Sequence, residues 1–270
     1  MTKEIGRGKI NWIDFYYLSV IDLRDNPGGL IDSVVNVADK FIDKGVIVST
    51  RSRLVSENEE YKASADKTTI KKNIPVVVLI NKGSASASEI LSGFLKDYKL
   101  AYLVGECTYG KGSVQQVIPL SDTDGIKITM ARYYTPSDVN IDKIGIPPDK
   151  EVINIQPFTK EQEEAYVRMI DSGIIDKTVE ANPNMTEAQI KQKGDAIAKE
   201  YGIEERLVRK IIRNQVLRTQ GAPLYDLDYD LQLKAAIDVL QGGNYKTLVK
   251  KTKTLKQLQQ EVDKKDKKDK

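Results

Sequence analysis

Short apolar runs alternate with amphipathic segments over the first half of the chain. The stretch "YLSVIDLRDNPGG" predicts a buried strand that ends in a Pro-Gly-Gly turn. The segment that follows, "LIDSVVNVADKFIDKG", predicts a helix, because its apolar residues recur at helical spacing: Leu30, Val34, Val37 and Phe41. A second strand is predicted at "VIVSTRSR", and the polar stretch "EYKASADKTTIKKN" predicts a loop or hairpin.

The run "IPVVVLI" has no polar position and is typical of a strand buried on both faces of a parallel sheet. After it, an apolar stripe at helical spacing predicts a second helix: Ala87, Ile90, Leu91, Phe94, Leu95 and Tyr98. A further strand is predicted at "LAYLVG", and two paired strands at "SVQQVIPL" and "IKITMARYYT" around the turn "SDTDG". Up to about residue 150, this order predicts an α/β core with crossover connections.

From residue 159 onward the pattern is helical only. The stretches "TKEQ" and "TEAQ" fit a capping box and predict helix starts at Thr159 and Thr186. A later helix, "DLQLKAAIDVL", ends at Gly242 and Gly243, and "YKTLVKKTKTLKQLQQEV" predicts one more helix before a disordered end. We therefore divide the chain into an atypical segment (1–19), a core (20–157), a helical insertion (158–222), a helix that closes the core (223–243) and a lysine-rich tail (244–270).

Composition narrows the class of protein. The chain has 270 residues, of which 40% are hydrophobic and 30% charged, with a net charge of +3, as expected for a folded chain. The lysine-rich tail favours a solvated end, so no nucleic-acid partner is expected. Neither a bilayer-spanning run nor a signal-peptide pattern is present, so the sequence implies no membrane and leaves the compartment open. The single cysteine, Cys107, excludes an intrachain disulfide and is expected to be a small buried residue.

The absence of histidine changes the picture most. It excludes Ser-His-Asp and Cys-His mechanisms and the usual imidazole zinc sites. Three serines, Ser84, Ser86 and Ser88, lie in "NKGSASASEI" at a predicted strand-to-helix junction. If one of them is a nucleophile, its proton must go to a lysine, a carboxylate or an N-terminal amine.

A lysine can serve as the base when it lies inside the core, because burial favours the neutral amine. We expect this of Lys111, which lies between two glycines in "TYGKGSVQQ", with Gln115 placed to orient its amine. Each motif alone has an ordinary interpretation. The serines could be a helix cap and polar turn, Lys111 a surface lysine, Gln115 a solvent-facing strand residue and "NPGG" a common turn.

Together, and in this order, "IDLRDNPGG", "GSASASE" and "YGKGSVQ" resemble the C-terminal processing peptidases, or tail-specific proteases. The resemblance runs from about Val20 to Val152, with "IGIPPDKEV" near its end, and resumes weakly at "DLQLKAAIDVL". It implies an α/β, Clp-protease/crotonase-like core sheet with flanking helices, followed by a helical C-terminal region. It also implies a serine endopeptidase that acts on proteins or peptides without a metal or organic cofactor.

The resemblance assigns the site residue by residue. It implies Ser86 as nucleophile, Lys111 as general base and Gln115 as the residue that holds the lysine. The implied oxyanion donors are the backbone N–H groups of Ala87 and of Gly28 or Gly29, and Glu89 is implied in a structural or orienting role. A helix start suits an oxyanion, because its backbone donors are unsatisfied and its dipole favours negative charge.

Two departures from the family pattern carry expectations of their own. No PDZ domain precedes "VIDLRDNPGG" here, so weak substrate capture is expected. The helical insertion is longer than the family leads us to expect, and it could be a lid, a homo-oligomer surface or a partner site.

Two alternative functions remain. One is a non-catalytic remnant that binds a partner through this insertion, and the other is a crotonase-like acyl-CoA enzyme, against which the "GKG" lysine loop argues. The family suggests a periplasmic or other extracytoplasmic location.

Overall fold

The computed structural model describes residues 3–5, 8–15, 18–70, 73–221 and 225–266. The chain forms two compact units, one made of Met1–Val152 with Gln232–Lys270 and the other of Ile153–Leu231. The strands of the first unit are β1 (Lys3–Ile5), β2 (Gly8–Phe15), β3 (Leu18–Asp22), β4 (Lys44–Ser52), β5 (Glu59–Ser64), β6 (Val76–Ile80), β7 (Tyr102–Gly105), β8 (Ser113–Pro119), β9 (Gly125–Tyr134) and β10 (Lys150–Glu151). The helices are α1 (Ile31–Ala38), α2 (Ala87–Asp97), α3 (Lys160–Asp171), α4 (Ile174–Ala181), α5 (Glu187–Tyr201), α6 (Glu205–Gln220), α7 (Leu231–Gln241), α8 (Tyr245–Lys251) and α9 (Leu255–Asp266).

A six-stranded sheet with the order β1-β2-β3-β6-β7-β10 forms the centre of the first unit. Its strands β3, β6, β7 and β10 are parallel, whereas β1 and β2 pair antiparallel at one side. The fully apolar β6 lies between β3 and β7, and all five of its residues are buried. Such a run is what a central parallel strand requires, because both of its faces are covered.

Helices cover both faces of this sheet. Val78 and Ile80 of β6 belong to the apolar core that includes the buried residues of α1 and α2. Val77 and Leu79 point to the opposite face and pack with the apolar residues of α7, such as Ala236. The α/β class with flanking helices is therefore confirmed, and α7 covers the face of the sheet opposite α1 and α2.

A second, antiparallel sheet has the order β5-β4-β9-β8. The hairpin of β8 and β9 is confirmed, with an irregularity in register between Val114 and Gln115. The stretch 60–73, predicted as a loop or hairpin, contains most of β5, which pairs antiparallel with β4 as the edge arm of a hairpin; positions 71 and 72 lie outside the described residues. A polar sequence suits this position because only Tyr61 and Ala63 of β5 pack on the core.

Two helices differ from the pattern. The apolar stripe predicted a helix that reaches Phe41, but helix α1 ends at Ala38 because the chain turns at residues 39–41. Phe41 is nevertheless buried. The predicted C-terminal helix is two helices, α8 and α9. Thr254 starts the second with reciprocal bonds to Gln257, since its N–H donates to Gln257 Oε1 and its hydroxyl accepts from Gln257 N.

The second unit contains helices α3 to α6 around its own apolar core, which includes Met169, Val208 and Ile212. The helix starts at Thr159 and Thr186 are confirmed, each with a capping box. Within the described residues, no helix of either unit has the length and apolar character needed to cross a bilayer.

Candidate active site

The three serines of the junction between β6 and α2 have different environments. Ser84 is fully buried, and its hydroxyl donates to Leu23 O at 2.7 Å. Ser88 is also buried, and its hydroxyl donates to Asn26 O at 3.0 Å. Ser86 is only half-buried; its side chain forms a capping box with Glu89 at the start of α2, and within the described residues no acceptor takes its hydroxyl proton. Of the three, only Ser86 presents a hydroxyl that is available for chemistry.

Ser86 has an unusual backbone conformation, with φ 54° and ψ −115° at the N-cap of α2. A residue with a Cβ seldom adopts positive φ, and such strain persists only where the surroundings enforce it. One enforcing contact is the bond from Ser86 N to Glu89 Oε2 at 3.0 Å.

Glu89 joins the serine loop to the lysine loop. Its side chain is completely buried and accepts four hydrogen bonds. Oε1 accepts from the Thr108 hydroxyl at 2.5 Å and from Gly110 N at 2.7 Å, and Oε2 accepts from Lys111 N at 2.8 Å as well as from Ser86 N. Because one oxygen atom binds both backbone nitrogens, Ser86 and Lys111 are neighbours in space.

The side chain of Lys111 is exposed, so the expectation of a lysine inside the core is wrong. The loop that carries it borders an open cleft of about 570 Å³, which Gln115 also lines. Both residues belong to the described part of the chain, and neither the Ser86 hydroxyl nor the Gln115 amide bonds the Lys111 ammonium there. Gln115 Nε2 instead donates to Thr129 Oγ1 at 3.5 Å.

The "NPGG" turn lies against the serine loop. Gly28 has φ +99°, and a Cβ there would lie 2.6 Å from Ala85 O and 2.8 Å from Ala87 N. The Gly28 N–H donates to Asn26 Oδ1 at 3.0 Å, whereas the N–H groups of Gly29 and Ala87 have no acceptor among the described residues. The structure thus brings the turn, the serine and the lysine loop together.

Several residues that hold this arrangement were missed in the sequence. Asn26 accepts Ala85 N at 3.0 Å through its backbone carbonyl, and Asn81 Oδ1 accepts both Asp25 N and Gly83 N. The signal for Asn81 was the tripeptide "NKG", since asparagine two residues before glycine favours a turn closed by its own side chain. Thr108 had no such signal, because the partners of its buried hydroxyl are distant in the sequence: it donates to Glu89 Oε1 and accepts from Ile146 N.

Cys107 is partly buried and is not part of this network. Its thiol contacts Ile144 O at 3.5 Å. Burial raises the pKa of the Cys107 thiol, and the nearby Glu89 carboxylate raises it further. Both effects disfavour the reactive thiolate.

These features define an α/β protein with a strained serine at a helix start and a lysine loop bound to it. The sequence model of peptidase family S41 matches residues 17–152, and the chain belongs to this family.

Known relatives carry names that agree with this membership. The carboxy-terminal-processing protease of Bartonella bacilliformis is 49% identical over 130 residues, which are 48% of this chain and 30% of that protein. The chloroplastic C-terminal processing peptidase of Tetradesmus obliquus is 45% identical over 135 residues, which are 49% of this chain and 28% of that protein. The solved photosystem II D1 C-terminal processing protease shares 43% identity over 51% of this chain and 35% of its own, with a TM-score of 0.46. The chain thus spans about 30% of the length of the curated relatives it matches.

Proposed function

We propose that this chain carries the catalytic centre of a serine endopeptidase of the C-terminal processing type. The observation that carries the proposal is Glu89 Oε2, which accepts from Ser86 N and Lys111 N and so holds a strained serine beside a lysine loop. Membership of peptidase family S41 gives the substrate class, proteins or peptides. The names of the relatives support cleavage near a C-terminus. The resemblance to the family suggests a periplasmic or other extracytoplasmic location.

In the proposed reaction, the Ser86 hydroxyl attacks the scissile carbonyl while the neutral Lys111 amine takes its proton. The proton then passes to the leaving amine, and an ester between Ser86 and the acyl half of the substrate remains. Water then attacks the ester while Lys111 takes its proton; Lys111 returns that proton to the Ser86 oxygen as the ester bond breaks, so the acyl half leaves as a carboxylic acid and the free serine is restored. The half-buried Ser86 hydroxyl, whose proton has no acceptor among the described residues, supports this role.

We further propose that the N–H groups of Ala87 and Gly29 bind the oxyanion. Both lack an acceptor within the described chain, and Ala87 lies at the first position of α2, where the helix dipole favours negative charge. Gly28 is the weaker candidate as donor, because its N–H is already bonded to Asn26 Oδ1. Its role in this proposal is to let the turn approach Ala87 without a clash.

Lys111 reaches Ser86 in this proposal by a change of side-chain rotamer. Its backbone is fixed by Glu89, whereas its side chain is exposed beside the cleft. Gln115 lines the same cleft and can hold the amine once its long 3.5 Å bond to Thr129 is exchanged. An open cleft leaves both side chains free to make this adjustment when a peptide binds.

The test is cleavage of an unstructured protein by the purified chain. Ser86→Ala and Lys111→Ala should each lower the rate at least about 100-fold, since a positioned base contributes about 10²- to 10⁴-fold. Lys246→Gln, at an exposed position on α8, is the control and should change nothing. Circular dichroism should show that all variants fold. Full activity in Lys111→Ala would overturn the assignment of the base.

A further inference from the structure

The cleft beside Ser86 has an excess of positive charge. Four lysines line it, together with a single carboxylate, that of Asp142: Lys82, Lys111, Lys127 and Lys143. Lys82 has a partial partner in Glu106 at 3.9 Å. Within the described residues, Lys127 and Lys143 form no ion pair. Even with a neutral Lys111, two exposed ammonium groups therefore face the cleft without an acidic partner.

The backbone fixes where these two lysines lie. Lys127 is opposite Val117 in the β8–β9 hairpin, while Gln115 is opposite Thr129. Lys127 and Gln115 are thus diagonal neighbours on one face of the hairpin, the face that lines the cleft.

The backbone of Lys143 is held against the loop that carries Lys111. Its N–H donates to Gly110 O at 2.7 Å, and its φ of 64° is unusual for a residue with a side chain. This bond holds the Lys143 backbone against the residue before Lys111. The two unpaired ammonium groups therefore lie on separate segments that border the same cleft.

We propose that this cleft selects polypeptide segments that carry carboxylates next to the bond to be cut, with Lys127 and Lys143 as the residues that determine this preference. The proposal rests on the proposed function, because it names the substrate class of the same site. The carboxylates come either from Asp and Glu side chains or from the terminal carboxylate of the substrate. Both would meet ammonium groups that have no competing partner within the described chain.

Binding to the Ser86→Ala chain tests the preference without relying on cleavage. Three fluorescent peptides share one neutral, C-terminally amidated sequence apart from two central positions, which are Asp, Asn or Lys. A fourth peptide has Asn at both positions and a free C-terminus. The Asp peptide should bind about fivefold more tightly than the Lys peptide at low salt, and the difference should shrink at high salt. A gain for the fourth peptide over its amidated form would assign the terminal carboxylate as a source.

Variants locate the effect. In the Ser86→Ala background, Lys127→Gln with Lys143→Gln should remove the preference for Asp over Lys, and Lys246→Gln should retain it. Equal affinities for all four peptides would overturn the proposal. A preference that survives the two cleft substitutions would also overturn it. Its loss in Arg53→Gln with Arg132→Gln would then assign the preference to a separate groove on the second sheet. Cleavage by the wild-type chain is measured separately, so a failure of the proposed peptidase activity stays distinct from a failure of the charge preference.

Discussion

At the scale of single residues, the candidate site is built around Ser86, whose backbone conformation is unfavourable for a residue with a Cβ. Ser86 has φ 54°, and the nearby Ser84 and Ser88 hydroxyls donate to backbone carbonyls of the strand-to-turn segment, those of Leu23 and Asn26. The strain is retained because Glu89 binds the Ser86 N–H from a buried position. The sequence motif indicates Ser86 as the candidate nucleophile, whereas its positive φ is visible only in the structure.

This strain can be measured with two substitutions at one position. Ser86→Gly should be more stable to unfolding than Ser86→Ala by about 1 kcal/mol, because glycine adopts positive φ without a steric cost. Both variants should be inactive in peptide cleavage. Urea unfolding of the two variants under identical conditions is the measurement. Equal stabilities would mean that the backbone at Ser86 is not strained.

A side chain at Gly28 would be unfavourable for two reasons: φ is positive there, and a Cβ would collide with the serine loop. Gly28→Ala should therefore lower the free energy of unfolding by about 3 kcal/mol and reduce cleavage. Gly202→Ala is the matched control, since φ there is +72° but a Cβ would meet nothing within 4 Å. It should cost only about 1 kcal/mol. If the two variants lost equal stability, the close approach of the turn to Ala87 would be disproved.

At the scale of elements, apolar periodicity predicted the helices and strands whose formation depends mainly on their own residues. The central strand β6, helix α2 and the β8–β9 hairpin follow from runs and stripes in the sequence. The edge strand β5 was predicted only as part of a loop or hairpin, because its polar residues adopt extended structure through pairing with β4. The same holds for the site: motif order indicated Ser86 and Lys111, but the exposure of Lys111 depends on how distant loops pack.

The hydroxyl of Tyr245 joins helix α8 to the central sheet by hydrogen bonds. Tyr245 Oη donates to Val76 O at 2.8 Å and accepts from Val76 N at 2.9 Å, at the start of β6. Burial raises the pKa of Tyr245 to about 12. Because the folded-state pKa lies above the unfolded value of about 10, the stabilisation is complete below pH 10 and is lost as pH rises toward 12.

Tyr245→Phe should show this linkage. The wild-type free energy of unfolding should fall between pH 10 and 12 by up to about 1.4 kcal/mol per pH unit from this group, and the variant should lack that part of the slope. Near pH 7 the variant should be less stable by about 1 kcal/mol, because the backbone groups of Val76 lose their partner. Tyr225→Phe, at a ring that is 47% exposed, is the control and should keep the wild-type slope. A parallel loss of slope in both variants would contradict the assignment to Tyr245.

At the scale of the whole molecule, the chain has a first unit that contains the region matched by peptidase family S41 and a helical unit with its own core. Met169, Val208 and Ile212 are completely buried within Ile153–Leu231. The excised segment 153–231 should therefore be helical and should unfold cooperatively. Within it, Ile212→Ala should cost about 3 kcal/mol, whereas Ile170→Ala, at a side chain that is 44% exposed, should cost less than about 1 kcal/mol. Thermal unfolding followed by circular dichroism is the measurement, and a segment without a cooperative transition would show that this unit depends on the rest of the chain.

The central claim is that Lys111 activates Ser86, and covalent labelling tests it most directly. A serine-directed fluorophosphonate should label the wild-type chain at Ser86, identified by peptide mass spectrometry, and the rate should rise with pH because the neutral amine is the base. In Lys111→Ala the labelling rate should fall at least about 100-fold and lose this rise, while Lys246→Gln behaves as wild type. Labelling of Lys111→Ala at the wild-type rate, or no labelling of Ser86 in the folded wild-type chain, would contradict the account.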